Sequence, residues 1–415
     1  MSVRLPVRTA ALLCALGFSF LTVADLSAAP SQRYKEDVNG DMMMFGNTMG
    51  RDCASGVPNP VVGTVGTCGS STSDSGIDIY WRSDSPASGQ AEADNGITAA
   101  QARSKAVFQM PAGAVVEYAR LYWSAQGSTS SADLEVTLTS PDGANTTITA
   151  DDSWTNTYDS SDFYQSTADV TALLKLKGQG AYTLSGMNME GINGTTNHTS
   201  YGAWTIVVVY ALASDPPRNI TLFDGFDRVT DGVNANGTIS GFLVPNAGYQ
   251  AKLYLVAYEG DQSISGDSFR FNNVALSDDL NTSTNFFNGT RGNLGTAVTV
   301  VGDLPQLTGG TGSMGGVDMD VVDVTSRVGA GDTSATFSAR STGDLYYLGV
   351  FGLSISTVAP NYSTSTKTQE FLDPLPLTPG EKIKYTITAT NTGNDTAPGR
   401  SSHRPATSRC RVRSW

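Results

Sequence analysis

The sequence predicts an all-β protein with two tandem β-sandwich domains of jelly-roll type. Three observations lead to this prediction: long helical patterns are missing, apolar and polar residues alternate with period two in several short segments, and turn-forming dipeptides separate these segments. The composition agrees, because the many Tyr, Phe, Val and Thr residues favour pleated strands over helices. At 415 residues the chain is long enough for two or three domains.

The first element is a signal peptide, which we predict over residues 1–29. Arg4 and Arg8 form its basic part, an apolar stretch follows, and Ser27 to Ala29 offer a cleavage site. The apolar stretch is shorter than the ~20 residues that span a bilayer. We therefore expect export, to the extracellular space or the outer cell surface. The longest later apolar run, 206–212, has the length of a core strand, so the mature chain has no predicted membrane span, and its membrane attachment stays open.

Two cysteines follow in the mature chain before the first predicted strands. Cys53 and Cys68 lie 15 positions apart in a segment rich in Gly, Pro and Val. In an oxidising compartment such a pair predicts a disulfide, with two free thiols as the alternative. Closing a loop of this size stabilises a fold by roughly 3 kcal/mol.

Half-buried strands are predicted wherever apolar residues alternate with polar ones. The clearest alternation occurs in four segments: 133–139, 181–185, 252–258 and 382–388. Turn signals such as Pro141-Asp-Gly143 and Asn236-Gly237 lie between them. Many short strands joined by turns are typical of sandwiches and jelly rolls.

An internal repeat divides the predicted strands into two sets. Ala119-Arg-Leu-Tyr122 recurs as Ala251-Lys-Leu-Tyr254, and Ala168-Asp-Val-Thr171 recurs as Val322-Asp-Val-Thr325, in the same order. Each copy ends in an aromatic, apolar strand. We therefore predict a first sandwich over residues 34–215 and a second over residues 216–358. The Asp and Thr side chains of the repeated motif are expected to accept backbone N–H groups and begin a turn.

A third unit is predicted to begin at residue 359 and to be truncated near residue 399. It contains one clean strand pattern, and the last residues, 400–415, carry five Arg and no acidic residue. We hypothesise that this basic tail is a frameshifted or misread end. The alternative is a short basic segment that binds acidic surfaces.

The stretch Pro379-Gly-Glu-Lys-Ile-Lys-Tyr-Thr-Ile-Thr-Ala-Thr-Asn-Thr-Gly-Asn394 resembles the start of the conserved-repeat immunoglobulin-like module of bacterial surface proteins. Upstream segments, among them 204–210, 218–226 and 257–261, are similar to the same group, which includes myxobacterial adventurous-gliding-motility-like proteins. The resemblance implies that residues 359–399 begin an immunoglobulin-like repeat. It also implies an exported or surface-displayed protein without catalytic activity, and it supplies no catalytic residues.

The acidic balance of the chain limits its partners and suggests one cofactor. With a net charge of −13 and few Lys, the chain is not expected to bind nucleic acid, because phosphate contacts need clustered basic residues. Calcium prefers several oxygen ligands, which closely spaced acidic residues supply. Four clusters have this composition: Asp37, Asn39 and Asp41; Glu259, Asp261 and Asp267; Asp318, Asp320 and Asp323; and Asp224, Asp227 and Asp231. The alternative is that these are solvated acidic loops.

A carbohydrate site is the second candidate, because sugars stack on exposed aromatic rings. Trp81, Trp123 and Trp154 are the candidate platforms, and burial in the core is their alternative role, as it is for Trp204. No motif for a catalytic nucleophile or a phosphate-binding loop occurs. The sequence therefore predicts an exported structural or adhesive protein, not an enzyme, whose partners are extracellular or cell-surface polymers or proteins. The alternative is a carbohydrate-binding module of a secreted polysaccharide-active protein.

Overall fold

The structure is a computed structural model. It describes residues 30–358, apart from 70, 71, 73, 74, 86–88 and 193–198, together with residues 365–373 and 382–390. The predicted signal peptide and the predicted basic tail lie outside the described residues. Within them the chain is built from β-strands, with one short α-helix and two 3-10 turns, which confirms the all-β prediction.

The elements are numbered in chain order. The helix α1 is Thr171–Lys177, and the 3-10 turns are Ala99–Gln101 and Thr325–Arg327. The strands are β1 Ser31–Thr48, β2 Gly50–Arg51, β3 Thr64–Val65, β4 Ile79–Arg82, β5 Glu92–Asp94, β6 Arg103–Phe108, β7 Val115–Gly127, β8 Glu135–Thr139, β9 Asn145–Thr149, β10 Asp152–Tyr158, β11 Ser161–Asp169, β12 Gly180–Ser185, β13 Gly202–Ala211, β14 Pro217–Val229, β15 Ala235–Ser240, β16 Ala251–Tyr258, β17 Ser268–Phe271, β18 Val274–Ala275, β19 Arg291–Asn293, β20 Thr296–Ala297, β21 Val317–Asp323, β22 Ser334–Arg340, β23 Tyr346–Ser356, β24 Thr366–Phe371 and β25 Ile383–Thr388.

One large sheet runs through the whole body. Its eleven strands have the order β10-β11-β7-β13-β1-β14-β23-β16-β21-β19-β20. The long strand β1 joins the two halves, because residues 40–48 pair with β13 and residues 31–39 pair with β14. The sheet is therefore continuous across the boundary predicted between residues 215 and 216, and the division into two domains remains a prediction.

The strands of the two sequence repeats occupy corresponding positions. In the large sheet, β11-β7-β13-β1 of the first half corresponds to β21-β16-β23-β14 of the second. Beside it, β6-β12-β8 in an eight-stranded sheet corresponds to β15-β22-β17 in a four-stranded sheet. The copies of the sequence repeat thus lie on equivalent strands, with β1 and β14 adjacent at the centre.

The repeated Asp-Val-Thr motif forms the same turn in both halves. The Oδ1 atoms of Asp169 and Asp323 each accept the N–H two residues on, from Thr171 and Thr325, at 2.8 Å. The Oγ1 of Thr171 accepts a backbone N–H of β7 at 2.9 Å, and that of Thr325 accepts one of β16 at 3.0 Å. These side chains satisfy backbone donors where the strand ends and the helix or 3-10 turn begins.

The described residues form three apolar cores between the sheets. Ile206 in the first half of the large sheet packs with Leu138 in the eight-stranded sheet. On the opposite face, Val207 packs with Tyr254 in the second half of the large sheet. Phe337 in the four-stranded sheet packs on the outer face of the second half. Both faces of the central strands are therefore buried, which explains why β13 and β23 are mostly apolar and almost entirely buried.

The end of the described chain is a two-stranded hairpin. Strands β24 and β25 pair antiparallel, from Thr366 opposite Thr388 to Phe371 opposite Ile383, and all their residues are exposed. The strand predicted over 382–388 is thus present. No helix among the described residues is both long and apolar enough to cross a bilayer.

Candidate metal centre

Three carboxylates meet inside the loop end of the second half. Glu259 and Asp261 directly follow β16, and Asp344 lies just before β23. Each offers an oxygen, and these oxygens all lie within 4.8 Å of one another. The three residues are only 2–4% exposed. We call them the acidic centre.

The backbone turn after β16 directs these side chains inward. Glu259 has a φ of 70°, in the left-handed region that non-glycine residues rarely adopt, and its N–H donates to the carbonyl of Gly316 at 2.6 Å. Gly260 follows, and a Cβ there would lie 2.4 Å from Oδ2 of Asp318. Only glycine leaves room for that carboxylate beneath the turn, so the turn and the acidic side chains fit together.

Burial and mutual repulsion oppose the ionisation of Glu259 and Asp344. Burial and the charges of Asp261 and Asp344 raise the pKa of Glu259 well above its usual value. Burial, followed by the charges of Asp261 and Asp267, raises the pKa of Asp344 to about 9. Oε2 of Glu259 and Oδ2 of Asp344 have no hydrogen-bond partner among the described residues. Buried anions of this kind are stable only when they take up a proton or bind a cation.

Further carboxylates extend inward from the acidic centre. Oδ1 of Asp267 accepts the backbone N–H groups of Phe286 and Phe287, at 2.5 and 2.9 Å. Oδ1 of Asp318 accepts the N–H of Thr290 at 3.1 Å and that of Asn288 at 2.9 Å. These backbone donors hold each carboxylate in place, while Oδ2 of both aspartates has no partner among the described residues.

The inner carboxylates also resist ionisation. Burial raises the pKa of Asp267 to about 6 and that of Asp318 to about 7, against the lowering effect of the backbone N–H groups. Burial and the neighbouring charge of Asp318 raise the pKa of Asp320 well above its usual value. Each added negative charge in this region therefore raises the cost of ionising the next carboxylate.

The structure regroups the second and third predicted clusters. Glu259 and Asp261 come together as predicted, but Asp344 completes their group, while Asp267 lies deeper. Asp318 and Asp320 lie two residues apart on β21, on the same face of the strand, and both are fully buried. Asp323 lies exposed at the end of the same strand, where it forms the turn of the repeated motif. Sequence reasoning missed Asp344 because it lies 83 positions beyond Asp261, and only the pairing of β16 with β23 brings it near.

The first predicted cluster does not form a loop. Asp37, Asn39 and Asp41 lie along β1, where side chains two residues apart are separated by almost 7 Å. Asp37 is exposed and accepts an amide N–H of Asn219 at 2.7 Å. Asp41 is buried and paired with Lys252. A strand of this length spreads the oxygens too far apart for one calcium ion.

The fourth predicted cluster is also dispersed. Asp224 is buried and paired with Arg33 at 2.7 Å, so its charge is already compensated. Asp227 is buried three residues further along β14, and Asp231 lies exposed beyond the strand. Among the described residues, only the acidic centre brings three such ligands together.

The three tryptophans proposed as sugar platforms lie mostly inside the fold. Trp81 and Trp123 are 0% exposed, so their ring faces are not available at the surface. Trp154, on the edge strand β10, is half-buried, and the guanidinium of Arg33 lies 5.9 Å from its ring centre. Trp123 lies in the core between the large sheet and the eight-stranded sheet, and Trp81, on β4, lies in the core that contains Val207 and Tyr254.

Cys53 and Cys68 form a disulfide bond. The bond closes the loop between β2 and β4, and both cysteines are half-buried against the central core. Oδ2 of Asp78 accepts the N–H of Cys53 at 2.9 Å. This hydrogen bond attaches the first end of the loop to the residue directly before β4.

The comparisons with known proteins identify a family. A family model described as "Protein of unknown function (DUF3344)" matches residues 72–356. No curated protein matches the chain. Among solved structures, the chain is similar to the major capsid protein P2 from bacteriophage PM2, at 8% identity and a TM-score of 0.17, covering 61% of this chain and 92% of that one. It is also similar to quercetin 2,3-dioxygenase from Acinetobacter baumannii, at 11% identity and a TM-score of 0.18, covering 68% and 82%. Both TM-scores are too low to indicate a shared fold. The family model spans more than half of the sequence, and the chain therefore belongs to the DUF3344 family.

Proposed function

We propose that this protein is an exported structural or adhesive component of the cell surface, without catalytic activity, and that calcium bound at the acidic centre stabilises its second half. The observation that carries the calcium proposal is the burial of Glu259, Asp261 and Asp344 with their oxygens within 4.8 Å of one another. Three carboxylates supply the hard, anionic oxygen ligands that calcium prefers.

The unpartnered oxygens support a cation over a purely structural role. A carboxylate that serves only as a hydrogen-bond acceptor is normally surrounded by donors, as Asp267 is at its Oδ1. Oε2 of Glu259 and Oδ2 of Asp344 have no such donor among the described residues. A divalent cation would satisfy both oxygens at once and remove the repulsion between the carboxylates.

The position of the centre supports a stabilising role. The ligands come from the end of β16 and from the segment before β23, which are neighbours in the large sheet. A cation there would tie two loops that are far apart in sequence and would fix the end of both strands. Because the cation would bind only the folded arrangement, it would raise the free energy of unfolding.

Exposure to the cell exterior is supported by the disulfide and by the resemblance to surface proteins. Disulfides such as Cys53–Cys68 persist in oxidising compartments. The layered double sandwich, with one sheet running through both halves, would serve as a stiff spacer between a cell and its surroundings. Protease treatment of intact producing cells tests this location: we expect cleavage of the protein from outside, and full protection would contradict it.

Thermal unfolding tests the calcium proposal. We expect the melting temperature to be higher in millimolar calcium than in a chelator, with a smaller effect of magnesium, which dehydrates reluctantly. Equal melting temperatures in calcium and in chelator would contradict the proposal. Loss of adhesion when the gene is deleted, and its return with the intact gene, would test the adhesive role separately.

A further inference from the structure

Two aspartates lie deeper in the second half than the acidic centre. Asp267 directly precedes β17, Asp318 is the second residue of β21, and both are 0% exposed. Burial raises the pKa of Asp318, and the negative charge of Asp267 adds to this effect because the two carboxylates are close together. We call Asp267 and Asp318 the inner pair.

One stretch of the loop between β18 and β19 holds an oxygen of each inner aspartate. Oδ1 of Asp267 accepts the backbone N–H groups of Phe286 and Phe287, at 2.5 and 2.9 Å. Oδ1 of Asp318 accepts the N–H of the next residue, Asn288, at 2.9 Å. Because these three donors are consecutive in the sequence, the two carboxylates lie side by side along the loop.

The other oxygen of each inner aspartate is bare. Oδ2 of Asp267 and Oδ2 of Asp318 have no hydrogen-bond partner among the described residues. A carboxylate with only a structural role is expected to find donors at both oxygens when it is buried. One oxygen held by donors and one left bare is instead the arrangement of a metal ligand, which outer hydrogen bonds orient toward the ion.

A backbone oxygen lies beside the bare oxygen of Asp318. A Cβ at Gly260 would be 2.8 Å from the carbonyl oxygen of Phe287 and closer still to Oδ2 of Asp318. These two oxygens therefore border one space, and a glycine at position 260 leaves that space open. Backbone carbonyls and carboxylates are the oxygen ligands that calcium combines in proteins.

Asn288 supplies a further buried oxygen without a donor. Its Nδ2 donates to the carbonyls of Leu280 and Asn285, at 3.3 and 3.2 Å, which fixes the orientation of the amide. Its Oδ1 has no hydrogen-bond partner among the described residues, although Asn288 is only 3% exposed. Since the backbone N–H of the same residue donates to Asp318, this unsatisfied acceptor lies beside the inner pair.

We propose that the inner pair binds a second calcium ion, with the carbonyl oxygen of Phe287 and Oδ1 of Asn288 as uncharged ligands. This inference rests on the calcium-binding role proposed above for the acidic centre. An ion at the acidic centre brings two positive charges to three carboxylates, so it does not neutralise the inner pair as well. A second divalent ion matches the two charges of the pair. Calcium fits such a protein-made cage better than magnesium, which usually keeps several waters.

The number of calcium ions bound by the full chain tests this proposal. The chain is stripped with chelator and brought to equilibrium by dialysis against radioactive calcium at concentrations up to millimolar. The test variants are Asp267→Asn and Asp318→Asn, which keep an oxygen for the loop N–H groups and can place an amide NH₂ where the bare oxygen was. We expect two ions per parent chain and one ion per chain of each variant.

Unfolding in chelator shows whether the variants keep the fold. We expect Asp267→Asn and Asp318→Asn to be at least as stable to urea as the parent chain in chelator, because each replaces a buried carboxylate by a neutral group of the same shape. The matched control is Asp279→Asn, an exposed position in the same half, which should bind two ions as the parent does. Asp344→Asn should lose the ion of the acidic centre and keep the inner one.

The ion counts also separate this inference from the proposal on which it rests. A parent chain that binds a single ion would overturn the inner site, and loss of that ion in Asp344→Asn alone would leave the acidic centre as proposed. Two ions bound by both Asp267→Asn and Asp318→Asn would overturn the inner site as well. Calcium bound by none of these chains would contradict both proposals.

Discussion

Replacing Asp344 by asparagine is the most informative single change in the acidic centre. The substitution keeps the shape of the side chain but removes one negative charge from a site where three carboxylates lie within 4.8 Å. In calcium the variant loses an anionic ligand, and we expect it to lose stability. In the presence of a chelator the variant lacks one of the carboxylates that repel each other, and we expect its free energy of unfolding to depend less on pH.

The expected magnitudes follow from the pKa and from mass action. At a calcium concentration 100-fold above the dissociation constant, binding stabilises the fold by about 2.7 kcal/mol, which is the most that the variant can lose through calcium. In chelator, Asp344 has a pKa of about 9 in the folded chain, against 3.8 for an ordinary aspartate. The folded state then holds a proton that the unfolded state has released.

The direction of the pH dependence follows from that difference. Stability due to this proton is fully present below the unfolded pKa, near 4, and falls as the pH rises toward 9. The slope is about 1.4 kcal/mol per pH unit, so this one group accounts for about 4 kcal/mol between pH 5 and pH 8. Asp344→Asn removes that part of the slope. Calcium should also suppress it, because the bound carboxylate stays ionised.

Urea denaturation at a series of pH values, in calcium and in chelator, measures all of these quantities. The matched control is Asp279→Asn, which neutralises an exposed aspartate in the same half. We expect the control to behave like the parent chain under every condition. Equal free energies of unfolding for Asp344→Asn and Asp279→Asn in calcium would refute the role of Asp344 as a calcium ligand. Equal stability of the parent chain in chelator from pH 5 to pH 8 would refute the raised pKa of Asp344 in the folded state.

Three further predictions concern the frame around the centre. Replacing Cys53 and Cys68 by serine should lower the free energy of unfolding by roughly 3 kcal/mol. An unchanged midpoint of urea denaturation would show that the disulfide does not stabilise the fold. Asp41→Ala should cost about 3–5 kcal/mol by leaving Lys252 without its buried partner; a cost below 1 kcal/mol in urea denaturation would argue against it. Thr171→Val and Thr325→Val should each cost about 1–3 kcal/mol, by similar amounts, and an effect confined to one half would show that the two turns are not equivalent.

Local patterns in the sequence were sufficient to predict the strands and their class. Alternation with period two located β8, β12, β16 and β25, and the apolar run at 206–212 fell on β13. The repeated Asp-Val-Thr motif predicted a turn whose hydrogen bonds are the same in both halves. These features depend on residues that are neighbours in sequence, so their physical cause is visible in the sequence.

The acidic centre could be predicted only in part. Glu259 and Asp261 are separated by one residue, so their proximity is a local property of the chain. Asp344 lies beside them because β16 pairs with β23, and this pairing cannot be predicted from the spacing of the residues in the sequence. The burial of Trp81 and Trp123 depends likewise on long-range packing, because Trp123 lies in the core shared with the eight-stranded sheet and Trp81, on β4, lies in the core that contains Val207 and Tyr254. Asp41 failed as a calcium ligand because β1 is a strand, in which oxygens two residues apart diverge.

Anomalous X-ray diffraction from crystals grown in calcium tests the central claim most directly. We predict a strong anomalous peak between the carboxylates of Glu259, Asp261 and Asp344, with distances of about 2.3–2.6 Å from the ion to the oxygens. The peak should vanish in crystals of Asp344→Asn grown under the same conditions. Well-ordered carboxylates with no peak between them, at millimolar calcium, would contradict the claim that this centre holds a cation.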